Sequence, residues 1–344
     1  MTTTYVTHNR YRDHDMTGHN HPEHSGRIVA VWKTLKEAGL TERMDVITPT
    51  MVSDEAILRV HTQEHLDTLK WISGQEKMVM YDSDTYALPD SAEIARLSAG
   101  GVTAAIDAVS TGQADNGLAA VRPPGHHATP SRAMGFCILS NIAIGARHAQ
   151  AVHGLKRVMI VDFDVHHGNG TQDVFYADDS VLFVSTHQYP FYPGTGALND
   201  ISAGRAKGRT VNIPLSAGYG DATYATVYQK VLLPIARRFQ PELILVSAGF
   251  DAHHVDPLAM MRLTHEGYTH LTRELVQMAK DLCGGKIVFV MEGGYDLQAL
   301  GHGMRNVAHV LLGDDEISDP YGEAPGTEPD NGKLIDDLQS IHEL

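Results

Sequence analysis

The residues RVMIVDFDVHHGNGT (157–171) join a strand of the kind found in buried parallel sheets to a group of reactive side chains. The apolar run has no alternating polar residues, which is typical of a strand covered on both faces. Asp164 and His166 come directly after it, and residues two apart on a strand point to the same face. This pair can therefore hold one metal ion from one side.

Similar apolar runs recur along the chain and alternate with helical patterns. Such alternation predicts βαβ units with parallel strands and right-handed crossovers, so we expect an α/β protein. The predicted strands cover 117–121, 157–165, 180–186, 242–250 and 286–294. The predicted helices cover 25–40, 90–112, 140–154, 224–239, 264–283 and 297–312.

The composition changes after Gly313, where the chain becomes acidic and rich in proline and glycine. We therefore predict one domain over residues 1–313 and an irregular acidic tail over 314–344. Leu334, Ile335, Leu338 and Ile341 near the end have the spacing of a short amphipathic helix, which we expect to pack on the body.

Acidic side chains outnumber basic ones by 42 to 27, which gives a net charge of −15 over 344 residues. An acidic surface repels nucleic acid and anionic membranes, so we expect binding to neither. It attracts cationic partners such as polyamines or lysine-rich peptides, although many soluble proteins are equally acidic.

The chain has two cysteines, Cys137 and Cys283, which are too few for a disulfide framework. We expect both to be buried thiols in a reducing compartment. The N-terminal residues lack the apolar core of a signal peptide, and no apolar run approaches the length of a membrane span. The sequence therefore predicts a cytoplasmic protein.

Reactive side chains follow four of the predicted strands. Ligands of α/β proteins bind beyond the carboxyl ends of the strands, where such side chains would meet. Each residue alone could be an ordinary buried polar or loop residue, but together they indicate one site. These residues are His126 and His127, then Asp162, Asp164 and His166, then Asp251, and finally Tyr295.

Asp164, His166 and Asp251 can supply three ligands to one ion and leave a position open, which is the pattern of a catalytic zinc site. Their oxygen-rich set also suits iron or cobalt. Two carboxylates neutralise the charge of the ion, so water there should be less acidic than at a three-histidine site. A base and a second electrophile are then needed, and we expect His126, His127 and Tyr295 to supply them.

Six motifs resemble those of the histone deacetylase and acetylpolyamine amidohydrolase superfamily, and are most similar to its class II and bacterial branch. The likeness runs in the family's order from about His8 to Leu312. It implies the arginase-deacetylase fold, a single α/β domain around a mainly parallel eight-stranded sheet. The motifs are RPPGHHA (122–128), GFC (135–137), DFDVHHGNGT (162–171), YPGTG (192–196), GFDAHHVDP (249–257) and MEGGYD (291–296).

The resemblance implies that Asp164, His166 and Asp251 are the zinc ligands and that Tyr295 stabilises the transition state. It pairs the tandem histidine His126 with Asp162 and His127 with Asn169. A carboxylate partner raises the pKa of an imidazole, whereas a neutral amide does not. We therefore expect His127 to be the neutral base and His126 a fixed positive group, with the reverse order left open.

The resemblance also implies a substrate tunnel, monovalent-cation sites for potassium and a single catalytic metal. Arginases bind their second metal through an Asp at the position of Gly168, which cannot act as a ligand. The implied tunnel and rim residues are Gly135, Phe136, Tyr192, Leu258 and Asp84. The implied inner cation site comprises Asp162, Asp164, His166, Ser185 and Thr186, and the outer one Phe175, Asp178 and Val181.

The expected reaction is removal of acetyl groups from acetylated lysine side chains, with release of acetate. One alternative is a hydrolase of acetylpolyamines or other small acetylamides. The polyamine-specific eukaryotic relative has Glu at the position of Leu258, which cannot bind an ammonium group. Another alternative is a catalytically silent reader of acetyl-lysine, but the metal ligands and Tyr295 are all present.

A cluster of histidines near the N-terminus is expected to lie in a loop at the pocket rim, rather than to form a second metal site. These residues are His8, His14, His19, His21 and His24. His167, His253 and His254 in the later motifs are expected to be structural or rim residues.

Overall fold

The computed structural model describes residues 1–16 and 20–344. Its strands are β1 (Thr3–Val6), β2 (Asp45–Ile47), β3 (Val79–Met80), β4 (Tyr86–Ala87), β5 (Asn116–Ala119), β6 (Val158–Asp162), β7 (Val181–Gln188), β8 (Thr210–Leu215), β9 (Leu243–Ala248) and β10 (Ile287–Met291). Its helices are α1 (Gly26–Glu37), α2 (Asp54–Leu58), α3 (Gln63–Ser73), α4 (Ser91–Ser110), α5 (Asn141–His153), α6 (Asn169–Phe175), α7 (Asp221–Val227), α8 (Leu233–Phe239), α9 (His265–Cys283), α10 (Leu297–Leu312) and α11 (Gly332–His342).

Eight strands form one central sheet in the order β2-β1-β5-β10-β9-β6-β7-β8. Every neighbouring pair is parallel, so the predicted eight-stranded α/β fold is confirmed, and the sheet is wholly rather than mainly parallel. The short strands β3 and β4 form a separate antiparallel pair.

Helices cover the sheet, and every residue of the inner strands β5, β6, β9 and β10 is buried. Helix α4 packs against α5, while α10 packs against both α1 and α9. The first pair approaches closely, since a Cβ on Gly145 would lie 2.7 Å from a methyl carbon of Val102. In the described part of the chain, no helix is long and apolar enough to cross a membrane.

All five predicted strands are present, but β1, β2 and β8 of the sheet were not predicted from the sequence. β1 and β2 are short, and β1 starts with two threonines, so neither shows a long apolar run. β8 lies at the edge of the sheet and contains Pro214, which lowers its resemblance to a strand. The short helices α2, α3 and α6 were also missed.

The predicted helix over 224–239 is interrupted. It begins earlier, at Asp221, and a π-helical turn over Tyr228–Leu232 separates α7 from α8. Pro234 lies in the first turn of α8, and proline cannot donate the backbone hydrogen bond of a continuous helix. The interruption is therefore explained by this residue.

Residues 314–331 contain no helix or strand, but they are tied to the body by polar contacts. The hydroxyl of Tyr219 donates to the backbone oxygen of Asp330 at 2.9 Å, and that of Thr223 donates to Glu328 at 2.6 Å. Helix α11 then buries Ile335 and Leu338 in the main apolar core.

Candidate active site

The four strands that carry reactive side chains are neighbours at the centre of the sheet, in the order β5-β10-β9-β6. Because all are parallel, their carboxyl ends meet at one edge. The loops after them bring together His126 and His127, Tyr295, Asp251, and Asp164 with His166. The sheet order thus explains how residues far apart in the sequence converge on one site.

Asp164, His166 and Asp251 form a compact group of possible metal ligands, whose ligand atoms lie within 4.8 Å of one another. Nδ1 of His166 lies 3.2 Å from Oδ1 of Asp164 and 3.1 Å from Oδ2 of Asp251. All three residues are buried. One imidazole and two carboxylates fit a divalent ion that accepts nitrogen and oxygen ligands, such as zinc, iron or cobalt.

Backbone groups hold the two carboxylates in place. The backbone N–H of Gly293 donates to Asp164 Oδ2 at 2.8 Å, and that of Val165 donates to Asp251 Oδ1 at 2.9 Å. A Cβ on Gly293 would collide with both carboxylates. Glycine at this position therefore lets the backbone approach the metal ligands closely.

The tandem histidines differ in their partners. Nδ1 of His126 donates to Asp162 at 3.1 Å, and Nδ1 of His127 donates to the side-chain oxygen of Asn169 at 2.8 Å. Burial alone would lower the pKa of His126, but the carboxylates of Asp164 and Asp162 raise it to about 10. Burial and the neighbouring His126 hold the pKa of His127 well below its usual value. These opposite shifts favour a positive His126 and a neutral His127.

Glu292 is a buried acid that was not predicted as a site residue, although it lies in the motif after β10. It accepts hydrogen bonds from the backbone N–H groups of Gly125 at 2.7 Å and His126 at 3.2 Å. Burial raises the pKa of Glu292 to about 7. This side chain fixes the loop that carries the tandem histidines.

A buried ion network behind Tyr295 was also missed. Arg122 donates to both oxygens of Glu23, at 2.6 and 2.7 Å, and Arg27 donates to Glu23 at 3.1 Å. Arg27 also donates to the backbone oxygen of Gly294 at 2.7 Å, and its guanidinium lies 5.0 Å from the Tyr295 ring centre. The network thus supports the loop of the predicted catalytic tyrosine.

Asp256 and the C-terminal segment hold the other side of this loop. Asp256 Oδ2 accepts the backbone N–H groups of Tyr295 at 2.7 Å and Asp296 at 3.2 Å. The hydroxyl of Tyr321, in the segment after α10, donates to Asp296 at 2.8 Å. The backbone on both sides of the Tyr295 side chain is therefore anchored.

The predicted tunnel residues all border one cavity of about 370 Å³ that reaches the metal-ligand group. The ring of Phe136 lies 5.9 Å from that of Tyr295, and the ring of Tyr192 lies 5.2 Å from that of His127, between centres. Such a cavity suits a slender, mainly apolar chain. Its lining comprises His21, Pro22, Ser83, Asp84, His127, Gly135, Phe136, His166, Tyr192, Leu258 and Tyr295.

Gly135 and Asp84 have distinct places in this lining. A Cβ on Gly135 would collide with the His127 ring, and the residue has a φ of 56°, so both space and backbone conformation favour glycine. Asp84 lies in the loop beside Asp82, and burial together with that second carboxyl raises the pKa of Asp84.

Of the described N-terminal histidines, only His21 lines the cavity. His14 is buried against Ser91, with 2.6 Å between Nδ1 and the hydroxyl oxygen, and His8 caps a short helical turn. His19 lies outside the described residues. The predicted rim location thus applies to His21, whereas His14 is part of the interior.

The predicted monovalent-cation residues fall in two places. In the inner group, Ser185 pairs with Asp162 across β6 and β7, and the Thr186 hydroxyl donates to the Asp162 backbone oxygen at 3.4 Å. In the outer group, the Asp178 backbone N–H donates to the Phe175 oxygen at 3.0 Å, close to Val181 at the start of β7.

The outer group already contains a positive charge. Arg147 lies 2.6 Å from Asp178 and 4.7 Å from the centre of the Phe175 ring. A guanidinium there competes with a potassium ion, so the observed charges support the inner site better than the outer one.

Comparison with known proteins agrees with this geometry. The histone deacetylase domain family matches residues 21–311. The chain is 40% identical to histone deacetylase 14, chloroplastic, of Arabidopsis thaliana, over 88% of this chain and 76% of that protein. It is 43% identical to a histone deacetylase-like amidohydrolase of Pseudomonas aeruginosa, over 80% of this chain and 71% of that protein. The crystal structure of the HDA15 HD domain superposes with a TM-score of 0.91 at 39% identity, covering 99% of this chain and 94% of that one.

Replacing His166 tests whether Asp164, His166 and Asp251 bind a divalent ion. His166→Ala deletes the only nitrogen ligand of the group, and even loss of a group that supports a ligand weakens metal binding about 10–100-fold. We expect metal analysis after dialysis to find one fewer divalent ion per chain than in the wild type, with no turnover. His148→Ala, whose side chain contacts Asp107 of α4, is the control and should keep the ion. Retention of the ion in His166→Ala would refute the assigned ligands.

Proposed function

The chain belongs to the histone deacetylase family, and we propose that it is a zinc-dependent hydrolase that removes acetyl groups from acetylated lysine side chains and releases acetate. One observation carries this proposal. The loops after four adjacent strands bring together a group of possible metal ligands, two histidines of opposite pKa shift and a tyrosine, and His127, His166 and Tyr295 of this set line one cavity. The cavity walls suit the apolar stem of a lysine side chain, and its base suits hydrolysis of an amide.

The residues around the base of the cavity have separate roles in the proposed reaction. A divalent ion held by Asp164, His166 and Asp251 would supply a Lewis acid for the substrate carbonyl and would acidify water. Nδ1 of His127 donates to Asn169, so Nε2 of the neutral ring has a lone pair that can accept a proton from the attacking water. The Tyr295 hydroxyl donates a hydrogen bond to the oxyanion as it forms.

His126 has a different part in this scheme. Its bond to Asp162 and its raised pKa keep the ring positively charged, which stabilises negative charge developing beside it. The proton accepted by His127 then passes to the nitrogen of the leaving amine. The products are acetate and a free amine.

The mouth of the cavity supports a second candidate, hydrolysis of acetylated polyamines. Asp84 lines the mouth, and its neighbour Asp82 adds a second carboxyl that could pair with the distant ammonium of a polyamine. Leu258, also in the lining, offers no such charge. We favour acetyl-lysine as the substrate because Leu258, at the position that would bind the ammonium group, is apolar.

The cytoplasmic location and the binding of potassium ions stay predictions from the sequence.

Removing the Tyr295 hydroxyl should impair turnover without affecting the metal. Tyr295→Phe deletes one donor to the oxyanion, and loss of such a donor costs about 10²–10³-fold in kcat. We expect this loss on an acetyl-lysine peptide, with unchanged metal content. Equal activity of the variant and the wild type would exclude the assigned role, and a wild type that binds the peptide but releases no acetate would indicate a silent reader.

The roles of the two histidines can be separated by pH profiles. Asp162→Asn removes a carboxylate that raises the pKa of His126, so the positive ring is lost at lower pH, and the alkaline limb of kcat/KM should move to lower pH. Asn169→Asp adds a carboxylate beside His127 and raises its pKa, so the acid limb should move to higher pH. If the two variants move the opposite limbs, the histidine roles are reversed.

Substrate class is tested by the ratio of kcat/KM for an acetyl-lysine peptide to that for acetylated spermidine. We expect the peptide to be favoured, because Leu258 cannot bind an ammonium group. Leu258→Glu should raise kcat/KM for acetylated spermidine about 10-fold or more, as a hydrogen bond to a charged group would. Asp84→Asn tests in the same way whether the carboxylate of Asp84, at the cavity mouth, contributes to kcat/KM for acetylated spermidine. A wild-type preference of tenfold or more for acetylated spermidine would overturn the lysine assignment but leave the hydrolase intact.

A further inference from the structure

A second group of metal-ligand side chains lies where the C-terminal segment meets the body. His253 follows β9, His265 begins α9, and Asp319 belongs to the segment after α10. Nε2 of His253 lies 3.1 Å from Nδ1 of His265, which in turn lies 3.1 Å from Oδ1 of Asp319. The two imidazoles are buried, and the Asp319 side chain is 14% exposed. Three separate parts of the chain thus converge on one point.

The spacing of these atoms matches that of the catalytic ligand group, where the corresponding separations are 3.2 and 3.1 Å. Ligand atoms at about 2.0–2.1 Å from a tetrahedral zinc ion lie roughly 3.3 Å from one another. A further group, Asp107 with His148 and His153, is different, because both imidazoles lie 2.6 Å from one carboxylate oxygen. That distance is typical of charge-assisted hydrogen bonds. The spacing therefore favours a metal ion at His253, His265 and Asp319.

The orientation of His265 leaves a lone pair directed into this group. Its Nε2 donates to the backbone oxygen of Ala299 at 3.0 Å, so in the neutral ring Nδ1 is the unprotonated nitrogen. Metal-binding histidines commonly have their other nitrogen fixed in this way. Nδ1 of His265 thus lies 3.1 Å from both Nε2 of His253 and Oδ1 of Asp319, so one metal ion could contact all three atoms.

The Asp319 carboxylate is also fixed and stands beside an electronegative cavity. Its Oδ1 accepts the backbone N–H groups of Tyr321 at 3.1 Å and Gly322 at 2.9 Å. The adjoining cavity, of about 580 Å³, gives a route from solvent, and its charged lining would attract cations. The charged residues of that lining are Asp221, Glu266, Asp319, Glu323 and Glu328, with Arg262 as the basic one.

We propose that His253, His265 and Asp319 bind a divalent transition-metal ion, with zinc as the expected ion, and that this ion fastens the C-terminal segment to the body. It is additional to the single catalytic ion predicted from the sequence, and it does not depend on the proposed reaction. The same segment carries Tyr321, whose ring lies 5.5 Å from that of His253 and whose hydroxyl donates to Asp296 beside Tyr295. The bound ion would thus stabilise a segment that supports the catalytic loop.

Zinc stoichiometry of the full chain tests the proposal. The protein is saturated with zinc, freed of excess metal and analysed for zinc per chain. We expect two ions in the wild type and one in Asp319→Asn, whose remaining ion is the catalytic one. His166→Ala should also bind one ion but should lack activity. His148→Ala, in the group with Asp107 and His153, is the matched control and should bind two.

Three results would overturn the proposal: one ion in the wild type, two ions in Asp319→Asn, or loss of the second ion in His148→Ala. If Asp319→Asn fails to fold, anomalous diffraction from zinc-soaked wild-type crystals gives an independent answer. We expect a peak between Nε2 of His253, Nδ1 of His265 and Oδ1 of Asp319, and an empty map at that point would refute the site. Zinc should also slow protease cleavage within residues 314–331 of the wild type.

Discussion

The burial of four carboxylates at the carboxyl edge of the sheet is the constraint on which the rest of the site depends. Asp162, Asp164, Asp251 and Glu292 are each fully buried. A buried carboxylate is stable only when hydrogen bonds and positive charges replace its water. Backbone N–H groups donate hydrogen bonds to Glu292 and Asp164, and the raised pKa of His126 keeps a positive charge beside the acids. The contacts of His166 with Asp164 and Asp251 add to this compensation. A divalent ion at Asp164, His166 and Asp251, as proposed above, would add further positive charge beside two of these carboxylates.

The same crowding explains why the motifs of this protein are rich in glycine. A Cβ on Gly168 would collide with the Asp162 carboxylate, and one on Gly249 would collide with that of Asp164. These glycines allow the backbone to approach buried carboxylates, and Gly293 does the same between two metal ligands. These glycines therefore lie next to the buried acids at the strand ends, and they serve this close approach rather than a phosphate-binding loop.

The sequence predicted those features that arise from local pattern. The inner strands have continuous apolar runs, and the residues that follow them form the site because the carboxyl ends of parallel strands meet at one edge. It did not predict the contacts that support the Tyr295 loop, since Glu23 meets Arg122 from 99 residues away and Arg27 meets Gly294 from 267 away. Contacts between residues so far apart leave no pattern in the local spacing of the sequence. The edge strand with Pro214 was missed for the opposite reason, because its local pattern is weak although its position in the sheet is clear.

The Tyr295 loop requires hydrogen bonds from several parts of the chain to hold its conformation. Gly294 has a φ of 116°, a conformation open to glycine, and two consecutive glycines give the loop little rigidity of its own. A donor to an oxyanion is effective only when it is already oriented before the charge develops. Arg27 holds the Gly294 oxygen, Asp256 holds the Tyr295 nitrogen, and Tyr321 holds the next side chain. These contacts come from the N-terminal region, the loop after β9 and the C-terminal segment, so the orientation of one hydroxyl depends on the packing of the whole chain.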